Sequence, residues 1–239
     1  MCVMMPKFKG DSMKLLYTGK TKNVFDNEDS SGNYTLKLKD TATGKDGVFD
    51  PGENTVGLTI DGLGIESLKL SSYFFELLKK EGIATHYVSS NIDEAEMIVK
   101  PATIFGKGLE FVCRFKADGS FIRRYGDYIS FGEDLSGLVE VTLKSDEKGD
   151  PPATRDTLEA LKILTADEFI HCKYLTRKIA KIINEALKEK SISLADIKFE
   201  FGKDKDGTIM LIDEISGGCM RAYKDGAIIS PLELTKLVL

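Results

Sequence analysis

The sequence predicts an α+β protein built on antiparallel sheets, and three observations carry that expectation. Period-two apolar runs separated by turn residues fill residues 13–38. Two later segments instead repeat apolar residues at intervals of three and four, the helical period. Residues 197–202 return through 208–214 across Lys203-Asp204-Lys205-Asp206-Gly207, and Asp-Gly between alternating runs is a hairpin signal. No internal repeat or low-complexity tract interrupts the 239 residues, enough for one large domain or two lobes around a cleft.

In chain order, 13–17, 22–25 and 34–38 read as strands of a meander, with turn residues at 29–33. Gly19-Lys20-Thr21-Lys22 lies between the first two. It is too short for a Walker A loop, but a glycine turn followed by two lysines lays backbone N–H groups and ammonium charges over phosphates; a surface hairpin with exposed lysines explains the same stretch. The small-residue segment 40–47, which carries Asp46, reads as a turn. A helix is expected over 66–82, with Leu68, Phe74, Phe75, Leu77 and Leu78 as its stripe and Gly82 as its stop. Strand candidates follow at 83–88 and 97–100, where Pro101 ends the pattern.

Residues 110–115 form another strand candidate, and the interval to Gly126 carries Arg114, Ser120, Arg123 and Arg124 among glycines. Arginine binds phosphate in a bidentate fork and a serine hydroxyl completes an anion cradle; a hairpin with solvated arginines fits equally. After a strand at 138–144 and a loop through Pro152, Thr165 and Glu168 make a capping box for a helix. Its stripe is Phe169, Cys172, Leu175, Ile179, Ile182, Ile183 and Leu187, and His171 beside it reads as structural.

In the hairpin, pairing Lys203 with Thr208 puts Glu200 opposite Leu211 and Lys198 opposite Asp213. One face then holds two carboxylates and an ammonium beside apolar groups. Carboxylates this close repel unless a cation lies between them, and Mg²⁺ takes one or two carboxylates plus phosphate oxygens. A metal-nucleotide site follows, with Leu211 or Ile209 as a floor for adenine. A solvated cross-strand charge cluster fits the hairpin equally well, and a one-residue slip would scatter the constellation.

Composition narrows the classes. Hydrophobic residues make 42% and charged residues 30%, as in ordinary globular proteins, and the net charge of -5 offers no basic arm for nucleic acid. Cys2, Cys113, Cys172 and Cys219 show no CxxC pairing and are expected as reduced thiols in a cytoplasmic protein. Two histidines, His86 and His171, give little support to a zinc site or a Ser-His-Asp hydrolase. No apolar run reaches the roughly 20 residues a membrane helix needs, and the start, 1–6, is too short for a signal peptide core.

Taken together, Tyr17-Thr18-Gly19-Lys20-Thr21-Lys22-Asn23-Val24-Phe25, the 40–47 loop, Arg114…Gly119-Ser120…Arg123-Arg124-Tyr125-Gly126, Lys144-Ser145-Asp146…Gly149-Asp150-Pro151, Asp196-Ile197-Lys198-Phe199-Glu200-Phe201-Gly202 and Asp213-Glu214-Ile215-Ser216…Arg221 stand in one order and spacing. In this the chain resembles the SAICAR synthetase family, from about residue 16 to 223.

The resemblance implies an ATP-dependent ligase that joins L-aspartate to the carboxylate of carboxyaminoimidazole ribonucleotide (CAIR) through an acyl phosphate. It implies two lobes of ATP-grasp or kinase-like architecture: 1–100 covering the nucleotide, 101–239 binding metal and substrate. Glu200 and Asp213 would hold Mg²⁺ and Lys198 would touch the phosphates. Gly19, Lys20, Lys22 and Lys100 would line the nucleotide. Arg114, Ser120 and Arg221 would cradle the ribonucleotide phosphate, with Asp46, Asp150 and Asp196 in the substrate or metal neighbourhood. A homodimer is implied as well. Two motifs depart from the family: Asn and a small residue after the first arginine are Phe115 and Asp118, and Ser-Pro-Asp is Ser216-Gly217-Gly218, with Ala222-Tyr223 where a tryptophan often follows. A small-molecule kinase and a nucleotide-binding protein without turnover are the alternative readings.

Overall fold

The period-two runs pair as expected. In the computed structural model, which describes residues 13–53 and 55–239, β1 (Lys14–Thr18), β2 (Lys22–Asp26) and β3 (Tyr34–Leu38) form an antiparallel meander. Most of the 40–47 segment read as a turn is instead β4 (Thr41–Lys45), the middle strand of a small sheet with β5 (Val48–Phe49) and β6 (Val56–Thr59), in order β5-β4-β6. Its glycines are there for close approach: a Cβ on Gly44 would lie 2.1 Å from the Val48 carbonyl oxygen, and one on Gly57 2.3 Å from the Gly44 carbonyl carbon. Low side-chain volume, which suggests a turn in one dimension, here lets strands cross.

Helix α1 (Leu63–Lys80) begins three residues before the expected Glu66, at Gly62, whose φ of 81° suits glycine. β7 (Tyr87–Asn91) and β8 (Glu96–Val99) complete the first sheet, β1-β2-β3-β8-β7. β9 (Thr103–Ile104) leads to β10 (Leu109–Lys116). Next comes α2 (Gly119–Tyr125), where a hairpin was one expectation; Asp118 caps it by accepting from the Gly119 N–H at 2.5 Å. β11 (Asp134–Leu143), α3 (Arg155–Ala160) and α4 (Ala166–Lys188) follow. α4 starts on the expected capping box, with Thr165 Oγ1 accepting from Glu168 N at 3.3 Å and Glu168 Oε2 from Thr165 N at 2.8 Å. The chain ends in β12 (Ser193–Lys203), β13 (Ile209–Ile212), β14 (Met220–Lys224), β15 (Ala227–Ile228) and α5 (Pro231–Val238).

The second sheet runs β11-β10-β12-β14-β15, with β9 and β13 both pairing the far end of β12. Alternation gives β12 two faces. Ile197, Phe199 and Phe201 are buried in a core shared with Phe111, Ile179, Ile183 and Leu187, and α4 packs across β10, β11 and β12. Each such side chain contributes about 1.5–3 kcal/mol on burial. Asp196, Lys198 and Glu200 lie on the opposite face. The architecture is α+β with antiparallel sheets, and no helix among the described residues is long and apolar enough to cross a membrane. The chain start read for a signal segment, and Cys2, lie outside the described residues; Cys113, Cys172 and Cys219 are buried free thiols.

The expected hairpin exists, but its register is off by one: Lys203 pairs Ile209, Phe201 pairs Leu211 and Glu200 pairs Ile212. The cause is local. Asp204 accepts from the N–H groups of Asp206 at 2.9 Å and Thr208 at 2.8 Å, and donates its own N–H to the Thr208 carbonyl at 3.0 Å, drawing Thr208 into the turn. Leu211 therefore shares the core face with Phe201 and is only 1% exposed, so it does not floor a nucleotide cleft. The slip would carry Asp213 to the core face too. The strand ends at Ile212, however, and Asp213 takes a φ of 72°, which leaves the strand period and frees its carboxylate from that face.

Candidate active site

The face of β12 turned away from the core carries two charged centres. At its far end, Glu200 accepts from Lys144 Nζ at 2.7 Å, while Lys22 pairs with both Asp213 and Glu214. The turn bearing Lys22 is closed by Gly19 N donating to the Lys22 carbonyl at 2.8 Å, and Thr21 Oγ1 donates to Glu214 at 3.2 Å. Lys20 reaches across to Asp146 at 2.6 Å. His86 Nε2 lies 3.0 Å from the Asp213 carbonyl oxygen, and Leu211 is bracketed by backbone bonds to Ala84 and His86, so the segment before β7 fixes the kinked end of β13. Burial holds the His86 imidazole neutral, with its pKa down at about 4.

Three carboxylates against two ammoniums leave this centre short of positive charge. Burial, and then the Asp213 charge, push the Glu200 carboxyl up to about 7, against the pull of Lys144 and Lys22. Burial would raise Asp213 as well, but the Lys22 charge, the hydrogen bond to Glu214 and the Lys144 charge together outweigh it and hold that carboxyl well below the usual range. Lys22 and Lys144 are raised in return: burial lowers them, and the surrounding carboxylates more than offset it. Asp213 Oδ1 touches the Lys22 ammonium yet has no aligned hydrogen-bond donor. Among the described residues no group of three or more acids, histidines and cysteines is arranged as a metal cage. The donor set instead suits a hard divalent cation that completes its shell with water and phosphate oxygens, with Glu200 and Asp213 as the protein's contribution.

At the near end lies a network of arginines. Asp196, 3% exposed, accepts from Arg114 Nη1 at 2.7 Å and from Arg221 Nη1 at 2.8 Å. Arg114 also donates to Glu140 at 2.5 Å and to Ser120 Oγ at 2.9 Å. Arg221 reaches Asp50, and the Tyr223 hydroxyl donates to Asp118 at 2.7 Å. Two glycines make room: a Cβ on Gly119, whose φ is 51°, would fall 2.4 Å from the Arg221 guanidinium carbon, and one on Gly52 2.7 Å from Arg221 Nη2. Asp196 is thus the buried anchor that aims two guanidiniums.

A cavity of about 110 Å³ lies over this network and joins a cleft of about 650 Å³ over the acid-lysine centre. Glu110, Asp150, Lys198 and Cys219 line both. Lys198 stands between the centres, its Nζ 3.1 Å from Glu110; burial lowers this lysine, but Glu110 with Cys219 and Glu200 more than compensates. Gly19, Lys20, Lys22, Glu200 and Asp213 line the cleft, and Arg114, Ser120, Asp196 and Arg221 the cavity.

Besides Leu211, two expected residues lie elsewhere. Asp46 is exposed at the β4–β5 turn, and the acid that the loop after β5 brings to the arginines is Asp50. Lys100 is exposed and lines neither space, its backbone N–H being spent on the His86 carbonyl at 2.7 Å. Sequence reading also passed over Lys144, Glu214, Glu140, Glu110 and His86. Of these, Lys144 and Glu214 stood inside the quoted motifs, and alternation along β10 was a signal for Glu110.

The departing motif has a clear local structure. Ser216 Oγ accepts from Gly218 N at 3.2 Å in a short 3₁₀ turn, and a Cβ on Gly217 would meet Pro231 Cα at 2.6 Å, so that position admits only glycine without a shift of α5. Gly218 faces the cleft with nothing but Ser216 Oγ within 4 Å of its missing Cβ.

The sequence profile described as SAICAR synthetase matches residues 15–230. A phosphoribosylaminoimidazole-succinocarboxamide synthase of Clostridium tetani is 57% identical over 228 residues, 95% of this chain and 100% of that protein. One from Finegoldia magna is 36% identical, over 88% of this chain and 86% of that one. Among solved structures, a SAICAR synthetase in complex with ADP superposes with a TM-score of 0.78 at 31% identity, covering 89% of this chain and 86% of that one. The corresponding enzyme of Ehrlichia chaffeensis gives 0.79 at 29% identity, over 90% and 88%. With this profile covering most of its length, the chain belongs to the SAICAR synthetase family.

Proposed function

We propose that the cleft performs the family's reaction, the ATP-dependent joining of L-aspartate to CAIR, with the following division of labour. The cavity over Arg114, Ser120 and Arg221 takes the ribonucleotide 5′-phosphate, with Asp50 yielding to the incoming anion. The large cleft takes ATP, its phosphates lying along Gly19, Lys20 and Lys22. Glu200 and Asp213 hold Mg²⁺, whose charge offsets that of the transferring phosphoryl group. Lys198 supplies positive charge where the two substrates meet. The CAIR carboxylate attacks the γ-phosphorus and ADP leaves; the aspartate amine then attacks the acyl carbon, releasing phosphate and a proton. No protein nucleophile is needed, because positioning and charge stabilisation supply the rate.

The observation that carries this reading is that one strand, β12, presents Asp196 to the arginine pair and Glu200 to the acid-lysine centre, with Lys198 between them on the same face. Four residues of strand span about 13 Å, which suits a ribonucleotide bound at one end and reacting at the other. In this proposal the residues up to Lys100 cover the nucleotide and the remainder binds metal and substrate. A cytoplasmic setting, supported by the free thiols, and a homodimer belong to it as well.

ADP release measured with Mg-ATP, CAIR and aspartate, each omitted in turn, tests the reading. Release that requires all three and yields the amide supports it. A phosphorylated product formed without aspartate makes the protein a kinase, and no turnover with bound nucleotide makes it a binding protein.

A further inference from the structure

The ligand face of the second sheet is a grid whose rows follow from strand register. Arg114 stands beside Asp196, Val112 beside Lys198 and Glu140, and Glu110 beside Thr142. Successive rows are two residues apart along the strands, about 7 Å. The arginine row lies at one end, the Glu110–Thr142 row at the other, and Val112 offers an apolar seat between them.

In that last row one atom has no structural explanation. Thr142 is 8% exposed, its hydroxyl oxygen has no hydrogen-bond partner, and the residue lines the small cavity. A buried hydroxyl is ordinarily satisfied, and this one, closed to solvent and without a partner in a residue that lines the cavity, keeps its hydrogen-bonding capacity unspent beside the space a ligand would fill. Its neighbour across the strands, Glu110, lines the same cavity and gives one oxygen to Lys198 at 3.1 Å. Directly opposed side chains have Cβ atoms about 5 Å apart, so the pair presents a donor and an acceptor side by side.

We infer that Thr142 and Glu110 read the polar edge of the substrate's heterocycle. This rests on the assignment of the small cavity to the ribonucleotide. An aminoimidazole carboxylate carries an amine and a carboxylate on adjacent ring carbons, the complement of that pair. Glu110 accepts from the amine, and the Thr142 hydroxyl donates to one carboxylate oxygen, leaving the second free to meet the phosphoryl group. The ring lies over Val112, and Lys198 offsets the repulsion between the two carboxylates.

The test compares Thr142→Val, which keeps shape and loses the hydroxyl, with Thr142→Ser, which keeps the hydroxyl. The expected result is a rise of about tenfold in the CAIR KM of the valine variant, the loss of one hydrogen bond. The ATP KM stays unchanged and the melting temperature does not fall, since the valine removes an unsatisfied hydroxyl, and the serine variant returns to the parent KM. If the valine variant fails to fold, Glu110→Gln carries the same expectation for CAIR. Arg114→Ala is the control for the cavity: an unchanged CAIR KM in Thr142→Val beside a raised one in Arg114→Ala overturns the inference alone, whereas an unchanged CAIR KM in Arg114→Ala overturns the cavity assignment and the inference with it.

Discussion

The two ends of β12 handle buried charge in opposite ways. At the arginine end every guanidinium already faces a carboxylate: Arg114 meets Asp196 and Glu140, and Arg221 meets Asp196 and Asp50. At the other end Glu200, Asp213 and Glu214 share two lysines, the Glu200 carboxyl is pushed up to about 7, and Asp213 Oδ1 lacks an aligned donor. The first centre is an orienting device whose fork geometry is already set; the second is unbalanced, and in the proposed function a cation or phosphate completes it. Rigid pairing suits recognition, and unmet charge suits the place where charge moves during reaction.

Variants at the unbalanced end have the largest expected effect. Glu200→Gln and Asp213→Asn each lower kcat by about a thousandfold or more, the scale of a lost charge-stabilising group, while circular dichroism stays native; near-parental turnover in either variant removes that residue from the reaction. Next comes Arg114→Ala, with a rise of about a hundredfold in the CAIR KM, as for a lost charge-assisted contact, and little change for ATP in the same steady-state assay. Gly119→Ala forces a Cβ into the Arg221 guanidinium at a φ of 51° and costs about 1–3 kcal/mol; chemical denaturation measures it, and an unchanged midpoint contradicts the close approach.

The last effect is a pH slope. The folded Glu200 carboxyl lies above its ordinary value of 4.5, at about 7. Its favourable contribution is therefore complete below 4.5 and is lost as pH rises to 7. Without cation, the melting temperature of the parent protein falls across that window by an amount that Glu200→Gln removes; identical profiles for the two proteins contradict the buried, unbalanced carboxyl.

The same contrast explains what was legible in the sequence. Period-two and helical patterning announced the meander, the capping box of α4 and the 197–214 hairpin, and motif order gathered Lys22, Arg114, Lys198, Glu200 and Arg221. The misses were interactions that no one-dimensional pattern encodes. Asp204 pulled Thr208 into the turn and moved Leu211 to the core, whereas the positive φ of Asp213 kept that carboxylate at the site. The small residues of 40–47 marked strand crossing at Gly44 as well as a turn, and the acid that meets Arg221 is Asp50, whereas Asp46, expected in the substrate or metal neighbourhood, lies exposed at the β4–β5 turn. Lys144 was visible in its motif, but its pairing with Glu200 is made across 56 residues of chain.

In the proposed function the two ends of β12 serve different substrates. Calorimetric titration of Mg-ATP and of CAIR into Asp213→Asn and Arg114→Ala tests it most directly. Asp213→Asn is expected to lose the magnesium-dependent part of nucleotide binding and keep CAIR, and Arg114→Ala to lose CAIR and keep Mg-ATP. Loss of both ligands in a folded variant, or the reverse assignment, would contradict it.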